Sequence, residues 1–193
     1  ANLNPKLPFL IDTVESITKE NGFGTTSAQS FKYEGGKQYY AGPYDRKMAG
    51  FSKVTSTNSA STTTSLYYHQ GDTSSSTIGE YSDHFSKIGK IYRVEVANSA
   101  GSIYSKTTKK WDKVASSTTT FVKLLNALGL TYDGDSDHKD KAEEYRYNNT
   151  SGNLTEKIEW GEVTGSDDGT FTDTASDMRS TSVSYASNTT DYV

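Results

Sequence analysis

The chain has 193 residues, a formal net charge of −4 and no cysteine, and 32% of its residues are hydrophobic. This length is enough for one domain with a sizeable core. The lack of cysteine excludes disulfides, zinc ribbons and thiol chemistry, and the interspersed charges give no basic surface for nucleic acid or an anionic membrane. No apolar stretch approaches the roughly 20 residues that span a bilayer, so membrane insertion is not expected.

Aromatic residues supply much of the apolar surface, with 14 tyrosines and 7 phenylalanines, and tyrosine suits sheets that are half wet and half dry. From the N-terminus, PFLIDTVESITKE is extended, NGFG is a turn, and TTSAQSFKYEGG ends at a second break. KQYYAGPYD, RKMAGFSKVTST and SLYYHQG follow as further strands. The sequence therefore predicts an all-β fold of successive, mostly antiparallel strands.

Residues 71–89 interrupt the strands with GDTSSSTIGEYSDHFSKIG, which is rich in Gly, Ser and Asp. This composition predicts an irregular surface excursion. After it KIYRVEVA alternates, NSAG at 98–101 forms a turn, and SIYSKTTKKW returns. We predict a β-hairpin here.

The stretch TFVKLLNALGL does not alternate in the same way. Its apolar residues Phe121, Leu124, Leu125 and Leu128 fall at i, i+3, i+4 and i+7, the pattern of an amphipathic helix. The flanking STTT and GLTYDG are rich in strand and turn formers. The period favours a short helix over 119–128, whereas the flanks favour a strand.

A second hairpin is predicted in YRYNNTSGNLTEKIEW, residues 145–160. Tyr145 and Tyr147 are two positions apart, so an extended chain places both rings on one face. The following Asn, Thr, Ser and Gly residues form the turn, because Gly152 readily adopts positive φ. From Leu154 the alternation resumes.

The sequence DGDSDHKDKAEE resembles a calcium loop, since Asp133, Asp135 and Asp137 alternate and Glu144 occupies the twelfth position. The sixth position is His138 instead of the glycine that an EF-hand turn requires. We therefore expect no metal site, and interpret 133–144 as an acidic loop at a hairpin tip, between strands 118–132 and 142–148.

Catalytic patterns are absent from the sequence. It has no G-x-S-x-G elbow, no GxGxxG and no Walker A motif. Its three histidines, His69, His84 and His138, lie in or beside predicted loops, where we expect solvated surface side chains. The adjacent carboxylates of Glu143-Glu144 would point to opposite faces of a strand and cannot act as one acid/base pair.

The hairpin YRYNNTSGNLT resembles the YD repeat of the RHS family: Tyr, any residue, Tyr-Asp, a short gap, Gly-Asn or Gly-Arg, an apolar residue and Thr. Asn148 replaces the usual Asp, and the gap is longer. The residues that match this structural motif are Tyr145, Tyr147, Gly152, Asn153, Leu154 and Thr155.

The wider order of strands carries a second resemblance. LPFLIDTVESI, NGFGTT, FKYEGG, YYAGPYDRKMAGFSKV, LYYHQG and KIYRVEV follow one another as in the middle region of the B component of bacterial insecticidal toxin complexes and related plasmid-virulence proteins. That family usually carries RGFG where this chain has RKMAGF. The resemblance covers nearly the whole chain, residues 1–193, as a single RHS/YD-type segment.

The resemblance implies a strip of a very large sheet that coils into a hollow shell around a toxic polypeptide. It implies a non-catalytic wall segment without a cofactor, in a bacterial protein that is secreted or at the cell surface. The implied partners are other RHS/YD segments of the same parent protein, the encapsulated toxin polypeptide and other toxin-complex subunits. The abrupt ends, ANLNPKLPFL and DYV, favour a piece of a larger protein. The alternative is a carbohydrate-binding or adhesive cell-surface β-module, because aromatic ladders can bind sugars.

Overall fold

The computed structural model describes residues 4–73, 75–115, 120–132 and 136–186. Within these ranges there is no α-helix, and two 3₁₀ helices, Ser76–Ile78 and Phe85–Lys87, are present. No helix in the described part of the chain is long and apolar enough to cross a membrane. The thirteen strands are β1 (Ser16–Glu20), β2 (Thr26–Glu34), β3 (Lys37–Gly42), β4 (Asp45–Gly50), β5 (Lys53–Asn58), β6 (Thr63–Tyr68), β7 (Ile91–Ala97), β8 (Ile103–Ala115), β9 (Thr120–Tyr132), β10 (His138–Tyr147), β11 (Leu154–Gly165), β12 (Phe171–Asp173) and β13 (Arg179–Ser182).

Eleven of these strands form one open sheet. Its order is β1-β2-β5-β6-β7-β8-β9-β10-β11-β12, and β13 also pairs with β11. All of these strand pairs are antiparallel. Strands β3 and β4 form a separate two-stranded sheet. The predicted all-β, mostly antiparallel fold is confirmed.

Four hairpin turns of the large sheet are stabilised by an asparagine side chain in the same way. An asparagine stands at or directly after the end of the first strand, and its Oδ1 accepts two backbone N–H groups of the turn at 2.8–3.1 Å. The side chain thus satisfies turn donors that no strand partner can reach. These residues are Asn21, Asn58, Asn98 and Asn148. The turns predicted at NGFG and NSAG are among them.

The helix that the period favoured at 119–128 is not formed, because Thr120–Tyr132 is strand β9. Lys110 pairs with Asn126 and Trp111 with Leu124, so β9 has one extra residue between these pairs. This β-bulge shifts the alternation by one. As a result Phe121 and Leu128, seven residues apart, pair with Val114 and Thr108, which share a face of β8.

The apolar core lies toward the C-terminal side of the sheet. Leu128, Leu130, Ala142 and Val163 are buried there, and Tyr132, Trp160 and Phe171 pack against them. Most other strand residues are only half-buried. The large sheet is therefore mainly a single layer, and buried polar residues hold the part around β6, β7 and β8.

Candidate functional site

The segment between β6 and β7, residues 69–90, folds back onto the sheet. Its ends are held together because the His69 N–H donates to the Lys90 carbonyl and the Gly89 N–H to the His69 carbonyl, both at 3.0 Å. Gly71 has a φ of 97° and the two 3₁₀ helices follow it. Glu80 and Lys87 are buried at 2% and 0% exposure, so one side of this irregular segment packs onto the sheet.

This segment contains a buried polar cluster, which we define as His69, Thr73, Glu80 and Asp83. The His69 ring has no exposed surface. Its Nδ1 lies 3.0 Å from Oδ1 of Asp83 and 3.4 Å from Oε1 of Glu80. The Thr73 hydroxyl lies 2.7 Å from Glu80 Oε1 and 2.8 Å from Asp83 Oδ2. One imidazole nitrogen thus faces two carboxylates.

Asp83 organises the loop through its second oxygen. Oδ2 accepts backbone N–H groups of Gln70, Gly71 and Thr73 at 2.6–3.2 Å. Burial alone would raise the pKa of Asp83, but hydrogen bonds from His69 and Thr73 hold it well below its ordinary value. Burial lowers the pKa of His69, and the hydrogen bonds to Asp83 and Glu80 raise it by more, so the net shift is upward.

Lys87 is the buried cation of the same segment. Its Nζ donates to the carbonyls of Tyr81, Ser82 and Trp111 at 2.7–2.9 Å, which joins the segment to β8. Burial lowers the pKa of Lys87. Because all three ammonium donors have acceptors, this lysine is satisfied by hydrogen bonds within the fold.

The cluster differs from a nucleophile and base pair. Thr73 supplies the one hydroxyl of the cluster. This hydroxyl bonds to the carboxylates of Glu80 and Asp83, whereas a nucleophile would have to bond to the imidazole of His69. What the geometry does offer is a place for positive charge between Nδ1 and two carboxylate oxygens. A cleft of about 440 Å³ opens beside it, and its lining includes Thr73, Glu80 and Tyr92.

A second polar network attaches the turn after β11. Arg93 Nη1 donates to the carbonyls of Ile78 and Asp167 at 3.2 and 3.0 Å. Lys106, 5% exposed, forms an ion pair with the Asp167 carboxylate. Burial raises the pKa of Asp167, but the Lys106 contact together with the nearby charge of Arg93 lowers it, and the net shift is downward. These contacts join the first 3₁₀ helix, the sheet and the 166–170 turn.

The predicted hairpin of the YD-like motif is formed by β10 and β11. Gly152 has a φ of 77°, and its N–H donates to the Asn148 carbonyl at 2.8 Å. Tyr147 pairs with Leu154, and Tyr145 pairs with Lys157.

Both tyrosines of this hairpin make packing or polar contacts. The Tyr147 ring lies 5.9 Å from Phe121, edge to face. The Tyr145 hydroxyl donates to Glu143 at 2.5 Å, and burial together with this bond raises the pKa of Tyr145 to about 12. Asn153 and Thr155 are exposed; the Asn153 carbonyl accepts the Asn148 N–H at 2.9 Å, and the Thr155 hydroxyl donates to the Arg146 carbonyl at 3.0 Å.

Two of the four acidic residues of the calcium-like pattern lie in the described part of the chain. Asp133 and Asp135 lie outside the described residues, and Asp137 is exposed just before β10. Glu144 lies within β10, paired with Asn126 and Ile158. Strand β10 begins at His138, four residues earlier than the strand predicted from 142.

The surface position expected for His69 is wrong, while the other two histidines are less enclosed. His84 is half-buried and its Nδ1 lies 2.8 Å from the Ser86 hydroxyl. His138 is exposed and bonds to Asp140 at 2.5 Å. Sequence reasoning missed Glu80 and Asp83 as partners of His69. The only signal in the sequence was that all three residues lie in or next to the Gly-rich stretch 71–89.

Neither a protein-family model nor a curated protein matches the chain. Two solved structures are similar in fold: a crystal structure of TcdB2-TccC3-TEV, with a TM-score of 0.53, and the Tc holotoxin pore of Photorhabdus luminescens, with a TM-score of 0.54. In each case the identity is 11%, and the similarity covers 69% of this chain and 9% of the other. The chain therefore has a distant toxin-complex-like fold, and spans a small part of those chains' length.

Proposed function

We propose that this chain is a structural wall segment of an RHS/YD-type shell that encloses a toxin polypeptide. The observation that carries the proposal is the open, eleven-stranded antiparallel sheet, whose fold is like that of Tc toxin chains. Its partners in this proposal are further RHS/YD segments of one parent protein, the enclosed polypeptide and other toxin-complex subunits. The parent would be bacterial and secreted or at the cell surface.

The solvent exposure of both faces of the sheet supports a wall segment better than a compact domain with one core. Strands β5 and β6 consist almost entirely of half-buried residues, in which neighbouring side chains on opposite faces are similarly accessible. A sheet that closes one compact core instead buries one face and exposes the other. A layer that is wet on both faces suits a boundary between an enclosed space and the outside.

The motif residues have structural roles in this proposal. Tyr147 packs on Phe121, Tyr145 bonds to Glu143, and Gly152 permits the positive φ of the turn. None of these contacts needs a ligand. We therefore propose that the hairpin shapes the sheet and performs no catalysis.

Cysteine labelling of the two sheet faces tests the proposal. Ala28 and Gln29 are exposed neighbours in β2, so their side chains point to opposite faces. The chain has no cysteine, so Ala28→Cys and Gln29→Cys each add its single thiol. A maleimide attached to a long polymer should label both variants of this chain. In the intact parent protein we expect one position to label and the other to be protected by the cavity.

Equal labelling of both positions in the parent would contradict the shell proposal. The carbohydrate-binding alternative predicts that equal labelling, together with glycan-array binding that falls when exposed aromatics are removed. Tyr40 and Tyr44 are suitable positions for that second arm, because they are 63% and 102% exposed near the tip of the β3–β4 hairpin.

A further inference from the structure

We propose that His69, Glu80 and Asp83 bind a single divalent cation of the zinc class. The ligand atoms are one imidazole nitrogen and two carboxylate oxygens, all within 4.8 Å of one another. Zinc accepts this combination of nitrogen and oxygen ligands. The inference concerns the polar cluster alone and is independent of whether the chain is part of a shell.

Two of the three separations between ligand atoms are close to those that the ion requires. In a tetrahedral zinc site with bonds of about 2.0–2.2 Å, two ligand atoms lie about 3.3–3.6 Å apart. Nδ1 of His69 lies 3.4 Å from the Glu80 oxygen and 3.0 Å from the Asp83 oxygen. The two carboxylate oxygens lie within 4.8 Å of each other, and rotation of these side chains toward the ion would complete the coordination.

A proton on Nδ1 forms a good hydrogen bond to only one of the two carboxylates. It makes a good hydrogen bond to Asp83 at 3.0 Å, but the contact to Glu80 at 3.4 Å is longer than an ordinary N–H···O bond. A cation placed between the three atoms contacts both carboxylates at once. The formal charge of the two carboxylates would then be balanced by one divalent ion.

The polar contacts of the buried ring are made at one nitrogen. His69 has no exposed surface, and its Nε2 has no hydrogen-bond partner among the described residues. All of its polar contacts are made by Nδ1, toward Asp83 and Glu80. The Tyr92 ring packs against the imidazole in a tilted arrangement, with ring centroids 5.2 Å apart. The group between Nδ1 and the carboxylates is therefore the polar contribution to the ring's position.

The cluster also borders a cleft and offers a further oxygen. Glu80 and Thr73 line the cleft of about 440 Å³, so the Glu80 side of the cluster lies next to solvent-accessible space. The Thr73 hydroxyl is within 2.8 Å of an oxygen of each carboxylate. Either this hydroxyl or a water from the cleft would fill a fourth position.

Zinc titration of the untagged, chelator-treated chain tests the site. We expect calorimetry to show one Zn²⁺ per chain, and the melting temperature to rise by about 5 °C or more at saturation. Co²⁺ in place of Zn²⁺ should give the visible absorption of tetrahedral cobalt. No uptake of Zn²⁺ at millimolar concentration, with an unchanged melting temperature, would overturn the proposal.

Substitutions locate the ion. His69→Gln and Glu80→Gln should each weaken Zn²⁺ binding by at least about tenfold. His138→Gln is the matched control, because His138 pairs with Asp140 in β10 and does not belong to the 69–90 segment; this variant should bind Zn²⁺ like the unsubstituted chain. Unchanged affinity in Glu80→Gln would place any bound ion elsewhere and overturn the proposal. If His69→Gln does not fold, the Glu80→Gln titration and the cobalt spectrum decide.

Discussion

Replacing Lys87 by methionine tests how strongly the 69–90 segment is fixed to the sheet. The Lys87 side chain is fully buried, and its Nζ donates to three carbonyls at 2.7–2.9 Å. Methionine keeps the length and the apolar stem of the side chain but removes every donor. The carbonyls of Tyr81, Ser82 and Trp111 would then lose their ammonium partner.

Two opposing terms set the size of the effect. A hydrogen bond to a charged group contributes about 1.5–3 kcal/mol net, so three bonds give an upper bound of about 5–9 kcal/mol. The variant also avoids the desolvation of a buried ammonium, which costs several kcal/mol. The lowered pKa of Lys87 reflects that desolvation. The balance predicts that Lys87→Met lowers the free energy of unfolding by about 2–4 kcal/mol.

Urea unfolding of matched lysine variants measures this prediction. Lys90 lies three residues later, is exposed, and places its Nζ 5.0 Å from the centre of the Trp111 ring. Lys90→Met removes only an exposed cation–π contact of about 0.5–1 kcal/mol. The midpoint should therefore fall much further for Lys87→Met. Equal midpoints would refute the reasoning, because the three carbonyl contacts would then have no net effect on stability.

Three further predictions concern the hairpins and the ion pair of Asp167. Tyr147→Ala should lower the free energy of unfolding by about 2–3 kcal/mol through lost packing. Lys157→Ala should shift the denaturant midpoint much less, because exposed ion pairs contribute little to stability. Gly152→Val should cost about 1–3 kcal/mol because valine is strained at a φ of 77°, whereas Gly152→Asn should cost less. The pKa of Asp167 is lower in the folded chain than its ordinary value of 3.8, so the ionised carboxylate stabilises the fold above pH 3.8. This stabilisation is lost as the pH falls through the pKa of the folded state. Asp167→Asn should therefore flatten the loss of stability in acid, measured by melting temperature against pH, and an unchanged profile would contradict this.

The hairpins could be predicted because their signals are local. Asn98 and Asn148 bond to backbone groups only two to four residues ahead, so the turn chemistry is contained in a few consecutive letters. Alternation on both sides of each turn then identifies the paired strands. The same locality explains why the position of Gly152 in its turn could be inferred.

Strand β9 shows where the period of a sequence misleads. Its apolar residues have the spacing of a helix. In the strand this spacing arises because β9 has one extra residue opposite Lys110 and Trp111. A bulge depends on the register with the partner strand, which no single window of sequence contains. The flanking strand formers were the better guide, since they reflect the same extended backbone on both sides of the bulge.

The burial of His69 depends on residues far along the chain. Asp83 is 14 residues from it, and Asp83 reaches the ring only because the intervening segment folds back onto the sheet. Composition described that segment correctly as rich in Gly, Ser and Asp, but composition does not distinguish solvated carboxylates from ones that accept buried N–H groups. The distinction requires the positions of both the sheet and the loop.

Hydrogen bonds of the 69–90 segment also explain how a thin sheet can hold a long connection in place. Gln70 donates from Nε2 to the carbonyls of Gly35, just before the β3–β4 hairpin, and Gly50, at its end. Lys47 of that hairpin donates to the Phe85 carbonyl. The segment is thus bonded to the sheet on one side and to the hairpin on the other. Apolar contacts tolerate sliding, whereas these hydrogen bonds require defined distances and angles. The segment is consequently held in one register although the single layer offers it little apolar surface to bury.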